Sequence, residues 1–241
     1  MKTKTQADQV IEAMRRNGGY ATFGQLNTLV NFSQWETKTP QATVRRIVQK
    51  NNAFFKIQPG LWALQEYKKT VLDKFQLKTR NERKDEMFTH SYYQGLLIEI
   101  GNMKQLATCV PPQDKNHLFL EKPLAELVSL GKIYDFTYPE LLRRATTVDV
   151  IWFNERKLPN SFFEVEHSTD IQNSLVKFFE LQDYSAKFKI VADESREKQF
   201  SDLLQKSIFR PIKERVFFLG YKRLVALHEK MSALEQLKQS I

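Results

Sequence analysis

Along the first seventy-five residues, apolar side chains recur at helical spacing and then give way to alternation. Val10, Ile11 and Met14 mark an amphipathic helix over residues 5–17, with Gly18-Gly19 as its stop. After the short stretch Tyr20-Ala21, Thr22 is placed to cap a second helix carrying Phe23, Leu26, Leu29 and Val30. Thr39-Pro40, a hydroxyl followed by proline, predicts a third helix running to about Asn51. Its buried face is expected to be Val44, Ile47 and Val48. The runs AFFKIQ and LWAL around Pro59-Gly60 then read as a β-hairpin.

From His90 onward the pattern alternates between helix and strand. HSYYQGLLIEIGN reads as a helix ending at Gly101, and QLATCVPP as a strand broken by Pro111-Pro112. Helical pieces at 124–130 and 139–145 follow, and then two β-rich runs, TVDVIWFN and SFFEVEHS, joined by a polar connection at 155–160. A helix over 170–184, the strand AKFKIVAD, a helix over 196–208, the strand RVFFLGY and a helix over 224–237 complete the pattern. This predicts an α/β body with a mixed central sheet flanked by helices. The charged run at 78–86 lacks apolar periodicity and suits a linker or an exposed helix. The expected division is therefore 1–75, a linker over 76–89, and a body over 90–241.

Composition narrows the function classes. An apolar share of 41% supports a core, and no apolar stretch approaches the roughly 20 residues of a membrane span. The opening MKTKTQADQ lacks the apolar region of a secretory signal, so a cytoplasmic location is expected. One cysteine, Cys109, excludes an internal disulfide and a thiolate-rich zinc site, and it reads as core filling. The net charge is +9, and residues 1–75 hold twelve Lys or Arg against five Asp or Glu, a surplus of seven. Two readings fit that asymmetry: a nucleic-acid-binding module, or a basic surface kept for solubility.

The outward face of the third helix bears on the choice. Gln41, Arg45 and Gln49 stack at four-residue spacing, with Arg46 and Lys50 beside them. Arg grips guanine and Gln grips adenine by paired hydrogen bonds in the major groove, and Lys56 in the hairpin is placed for a phosphate. Thr39, Gln41, Arg45, Arg46, Gln49, Lys50 and Lys56 are thus the candidate contacts to double-stranded DNA. Three helices followed by a hairpin resemble a winged helix-turn-helix, such as the winged-helix domains fused to restriction enzymes. A winged-helix protein–protein module is the competing reading.

The second half carries acids where apolar residues are expected. Asp149 lies in TVDVIWF, and Glu164 and Glu166 share one face of FFEVE. Burying an unpaired carboxylate costs on the order of several kcal/mol, so a cation should accompany them. Hard oxygen ligands on adjacent strands suit Mg²⁺, which binds through few carboxylates and keeps its waters. Glu99, interrupting the apolar run 96–100, is a weaker candidate for the same place. A structural ion pair of Asp149 with Arg143 or Arg144, and a solvated Glu166, are the plainer alternatives.

A helix carrying Glu, a strand, a strand carrying Asp, and a strand carrying (D/E)-x-K form the arrangement of the PD-(D/E)XK nucleases, which residues 90–221 resemble. Here it reads Asp149, fourteen intervening residues, then Glu164-Val165-Glu166. No proline immediately precedes Asp149, and Glu166 stands where the motif has lysine. Lys177 in NSLVKFFEL is a candidate for a lysine moved to the following helix. The whole chain resembles a type II restriction endonuclease of this superfamily with an N-terminal winged-helix domain.

The resemblance implies Mg²⁺-dependent hydrolysis of DNA phosphodiester bonds, with Mn²⁺ as a substitute. It implies that Asp149 and Glu164 hold metal, that Glu166 ligates metal or orients water, and that Lys177 steadies the attacking hydroxide or transition state. It also implies double-stranded DNA as partner and, for a symmetric site, a homodimer. Neither a membrane nor a small-molecule substrate is expected. A DNA-binding regulator with an inactive nuclease-like body is the alternative, and a nuclease for methylated DNA is a variant in which Trp35, Phe54, Phe55 and Trp62 contact the methyl group. His167 reads as a core or surface residue, and Asp114, after Pro111-Pro112, as a turn residue that could approach the metal if the first strand ends beside the site.

Overall fold

A computed structural model describes residues 4–77, 82–167 and 170–239. The chain is α+β and divides into two compact units, residues 1–81 with 225–241, and residues 82–224. The charged run at 78–86 lies partly outside the described residues. No helix among those described is long and apolar enough to cross a membrane.

In the first unit, helices α1 (Gln6–Arg16), α2 (Phe23–Leu29) and α3 (Pro40–Lys50) pack around a three-stranded antiparallel sheet of β1 (Tyr20–Thr22), β2 (Phe54–Gln58) and β3 (Leu61–Leu64), in the order β1-β3-β2. Reciprocal capping fixes two helix starts. Thr5 and Asp8 exchange hydrogen bonds at the start of α1, and Thr22 and Gln25 do so at α2. The start of α3 departs from expectation: Thr39 is the N-cap residue, but its side chain makes no capping bond. Proline at the first turn sets that start instead, and the Thr43 hydroxyl donates to the Thr39 carbonyl at 3.2 Å. Gly19 has φ +89°, and a Cβ there would lie 2.2 Å from the Tyr67 ring, so both backbone and packing require glycine.

The core of this unit joins Val10, Met14, Leu26, Val44, Val48, Phe54 and Leu64, with Trp35 also buried. Trp35 Nε1 donates to Gln9 at 2.8 Å. Phe54 is likewise core, Trp62 packs against it, and Phe55 lies under the Lys68 ammonium. Helix α4 (Lys68–Lys74), which the sequence pattern did not suggest, follows β3.

The second unit begins with α5 (Glu82–Met103) and continues through β4 (Ala107–Cys109), a two-stranded ribbon of β5 (Leu118–Phe119) and β6 (Lys122–Pro123), α6 (Leu124–Leu127) and α7 (Pro139–Ala145). Then come β7 (Val150–Phe153), β8 (Pro159–Glu166), α8 (Ile171–Glu180), β9 (Lys187–Ala192), α9 (Glu197–Leu204), β10 (Val216–Gly220) and the start of α10 (Tyr221–Gln239). The central sheet has the order β10-β9-β8-β7-β4. Its β10/β9 and β9/β8 pairs are parallel, and its β8/β7 and β7/β4 pairs antiparallel. It is a mixed sheet, with α5, α8 and α9 packed against its strands.

Alternation along β8 separates two environments. Phe162, Phe188 of β9 and Phe178 of α8 share one core, and period-two alternation puts Glu164 and Glu166 on that same side. Phe163 instead meets Trp152, whose Nε1 donates to the Leu97 carbonyl of α5. Both faces are therefore covered, which is why β7 and β8 read as nearly continuous apolar runs.

Candidate functional site

The carboxylates converge at one end of β7 and β8. Asp149 lies one residue before β7, and its Oδ2 accepts the backbone N–H of Val165 at 2.7 Å. Val165 separates Glu164 from Glu166, so this bond ties Asp149 to the strand that carries both acids. Glu164 and Glu166 are 2% and 4% exposed, which removes the reading of Glu166 as a solvated acid.

Helix α8 supplies the compensating groups. Lys177 Nζ donates to Glu164 Oε2 at 2.7 Å and to the Thr147 carbonyl at 3.1 Å. Ser174, three residues earlier and so on the same helix face, contacts Glu164 Oε2 at 3.1 Å and also Glu166 Oε1. A hydroxyl has one proton to give, so it satisfies one carboxylate. The second contact crowds two carboxylates onto one hydroxyl, which works against charge on Glu164.

The electrostatics agree. Burial first, and then the neighbouring negative charge of Asp149, raise the Glu164 carboxyl well above the usual range. Lys177 opposes the rise, and Glu166 adds to it. Glu164 Oε1 is buried without a hydrogen-bond partner.

Helix α5 closes the other side of Asp149, with residues that the sequence reading did not single out. His90 Nε2 lies 3.1 Å from Asp149 Oδ2, and because a carboxylate only accepts, this nitrogen carries the proton. Burial would lower the imidazole's proton affinity, but the bond and charge of Asp149, with help from Asp114, outweigh it and raise it. Gln94, one turn further on, donates through Nε2 to Asp114 Oδ2 at 2.7 Å and to the Asp149 carbonyl at 3.1 Å. Asp114 is buried and also closes the turn it was expected to form, its N–H bonding the Pro111 carbonyl.

Other sequence candidates fall elsewhere. Glu99 is nine residues beyond His90, roughly two and a half helical turns, so it leaves α5 on the opposite side from His90; its charge is felt by Tyr92. The structure does not bring it to the group. Arg143 and Arg144 pair with Glu140 and Glu180, which leaves the proposed ion pair with Asp149 unformed. His167 is exposed, and its carbonyl and that of Glu166 each accept from Arg196 Nη1 at 3.1 Å. Cys109 is buried, and burial pushes its thiol up to about 11.

In the first unit, Arg46, Gln49, Lys50 and Lys56 are exposed, and Gln41 is half-buried. Arg46 and Lys50 border a surface cavity of about 370 Å³ with Ala7, Ile47 and Asn51. Arg45 is engaged differently. Its guanidinium lies over the Phe23 ring and pairs with the buried Glu229 of α10. Thr39 caps α3 through its backbone, as described above.

Among the described residues, no set of three or more His, Cys, Asp or Glu side chains is arranged as a ready cage for a metal ion. The donor chemistry fits a more open site. Asp149 Oδ1 accepts no hydrogen bond among the described residues, and Glu164 Oε1 is orphaned. Two carboxylate oxygens with water filling the remaining positions is the usual way Mg²⁺ is held.

A family model described as the type II restriction enzyme NmeDI C-terminal domain matches residues 71–241. The type II restriction enzyme NmeDI of Neisseria meningitidis serogroup C is 27% identical over 124 residues, which cover 47% of this chain and 35% of that enzyme. The match thus spans about a third of the length of this curated relative. No solved structure matches the chain. The matched span takes in the whole second unit, with its carboxylate group, and most of the chain: this protein belongs to the NmeDI C-terminal domain family of type II restriction enzymes.

Proposed function

We propose that the chain is a sequence-specific DNA endonuclease of the type II restriction kind. In this reading its second unit is a PD-(D/E)XK nuclease core and its first a winged-helix DNA reader. The observation that carries the reading is Glu164, a buried carboxylate with one orphaned oxygen, facing Asp149 and Glu166 and held by a lysine from the next helix. Family membership supports restriction chemistry, and the exposed Arg46, Gln49, Lys50 and Lys56 support contact with a duplex.

Asp149 Oδ1 and Glu164 Oε1 would hold Mg²⁺, with Mn²⁺ as a substitute. When bound, such an ion supplies a water of lowered pKa and neutralises charge on the scissile phosphate. The chain's own residues do the rest. Lys177 fixes the Glu164 carboxylate through Oε2 and places a positive charge beside the reacting phosphate. Glu166, held by Ser174, accepts a proton from the attacking water. The backbone N–H of Val165 keeps Asp149 in line with Glu164. Pairing of two copies suits a symmetric target, with each copy cutting one strand.

The regulator reading draws on glutamate at 166 where the motif has lysine, and Lys177 at 2.7 Å from Glu164 supports the nuclease reading against it. A methyl-reading role for Trp35 and Phe54 loses its support, since both are buried in the core. The test is digestion of sequenced plasmids with Mg²⁺, followed by mapping of the ends. Discrete fragments are expected from the native chain, with at least a hundredfold loss in Glu164→Ala. Undiminished cutting by that variant overturns the site assignment, and a shifted band without cutting overturns the enzyme reading.

A further inference from the structure

We infer that His90 and Gln94 are positioning residues that hold Asp149 ready for a divalent cation, an inference that rests on the reading of Asp149 and Glu164 as its ligands. The two side chains are four residues apart on α5, hence on one face of the helix. They grip the same residue at two points, His90 at the side-chain Oδ2 and Gln94 at the backbone carbonyl. With the Val165 N–H, Oδ2 receives two donors, and among the described residues Oδ1 receives none. The carboxylate is therefore fixed in rotation with one oxygen committed and the other left open.

The second tie is well buried. Gln94 is fully buried, and both hydrogens of its amide group are used, one on Asp149 and one on the buried Asp114. A network of this kind gives orientation as well as adhesion, because an amide held at one hydrogen cannot turn away from the other. Partners that orient a ligating carboxylate or imidazole typically affect metal affinity ten- to a hundredfold. A purely structural brace would lower stability and leave the affinity of the folded protein unchanged. His90, with its side chain 28% exposed, is the more accessible of the two, so its substitution disturbs the core less than that of the fully buried Gln94.

The experiment measures Mn²⁺ binding to the full chain by the loss of the free-ion paramagnetic resonance signal, without DNA or turnover. His90→Ala is expected to weaken binding at least tenfold while the thermal transition stays within a few degrees. His90→Gln keeps a donor nitrogen near the position of Nε2 and is expected to restore affinity to within about threefold. If His90→Ala does not fold, as judged by near-ultraviolet dichroism, His90→Asn replaces it, because its shorter amide cannot reach Oδ2. Asp149→Ala is the reference. If it binds Mn²⁺ as the native chain does, or the native chain binds none, the ligand reading and this inference fall together. If Asp149→Ala weakens binding and the His90 variants do not, or His90→Gln is no better than His90→Ala, the inference alone is overturned.

Discussion

Replacing Lys177 by methionine tests the carboxylate group without reference to catalysis. The ammonium lies 2.7 Å from Glu164 Oε2, with the two side chains 15% and 2% exposed. Methionine keeps most of the volume, so the perturbation is chiefly the loss of one charge. Breaking a buried pair by removing one partner costs about 3–5 kcal/mol, because the other charge stays behind. For a chain of this size that corresponds to a fall of roughly 6–20 °C in the transition of the second unit. The pH dependence gives the sharper signature. Glu164 is already raised by burial and by Asp149 against the lowering effect of Lys177, so removing the lysine raises it further. A carboxyl raised in the folded state destabilises above its folded pKa and ceases to do so as pH falls below it. The loss should therefore be larger at alkaline pH and shrink as pH falls through the raised Glu164 pKa. Adding Glu164→Gln should recover most of it, giving a coupling of about 2 kcal/mol or more in a double-mutant cycle by denaturant unfolding. A loss below about 1 kcal/mol that is the same at acid and alkaline pH would refute the placement of these charges.

Arg45→Ala should destabilise the first unit, read by thermal unfolding, because it leaves Glu229 buried and unpaired; Glu229→Gln in the same chain should return part of the loss. Gly95→Ala should cost about 1–3 kcal/mol in denaturant unfolding, since its Cβ would fall 2.1 Å from the Phe119 ring. Lys189 is lowered to about 8 by burial and then by Lys104, Lys187 and Arg223. A lysine depressed in the folded state costs stability while it is held protonated, and that cost fades above its folded pKa. Lys189→Met should accordingly raise the melting temperature at pH 7, with the gain narrowing above about pH 8.

Local signals were the readable ones. The Thr5/Asp8 and Thr22/Gln25 capping boxes act within three residues, and Pro59-Gly60 turns the hairpin with Gly60 at φ +81°. The alternation in FFEVE predicts both the strand and the shared face of its acids. Long-range partners were not readable. Nothing near Arg45 in sequence announces Glu229, 184 residues away, so its guanidinium looked free for a base edge. Grouping of residues 225–241 with the first unit is of the same kind, because the pattern of a last helix does not say which core it will cover. His90 was passed over because it stands at the first position of the helix read over HSYYQGLLIEIGN. The available signal was its four-residue spacing from Gln94, a polar stripe on an otherwise apolar helix.

On the proposed PD-(D/E)XK reading, Glu166 stands where the motif has lysine, and the neighbouring helices bear on that difference. A lysine at position 166 would sit beside Glu164 on the face that meets α8. Glutamate there makes three carboxylates against whatever cations its neighbours provide. Helix α8 meets them with a hydroxyl and an ammonium three residues apart, Ser174 and Lys177, and α5 adds the imidazole of His90. One lysine, with a histidine whose proton affinity is raised, does not match three acids in charge. In a group this buried, the remaining negative charge favours uptake of a proton, the direction in which Glu164 is raised, or of a cation in its place. On that reading, glutamate in place of lysine at 166 increases the group's demand for a cation, and Lys177 of the neighbouring helix supplies the positive charge from another direction.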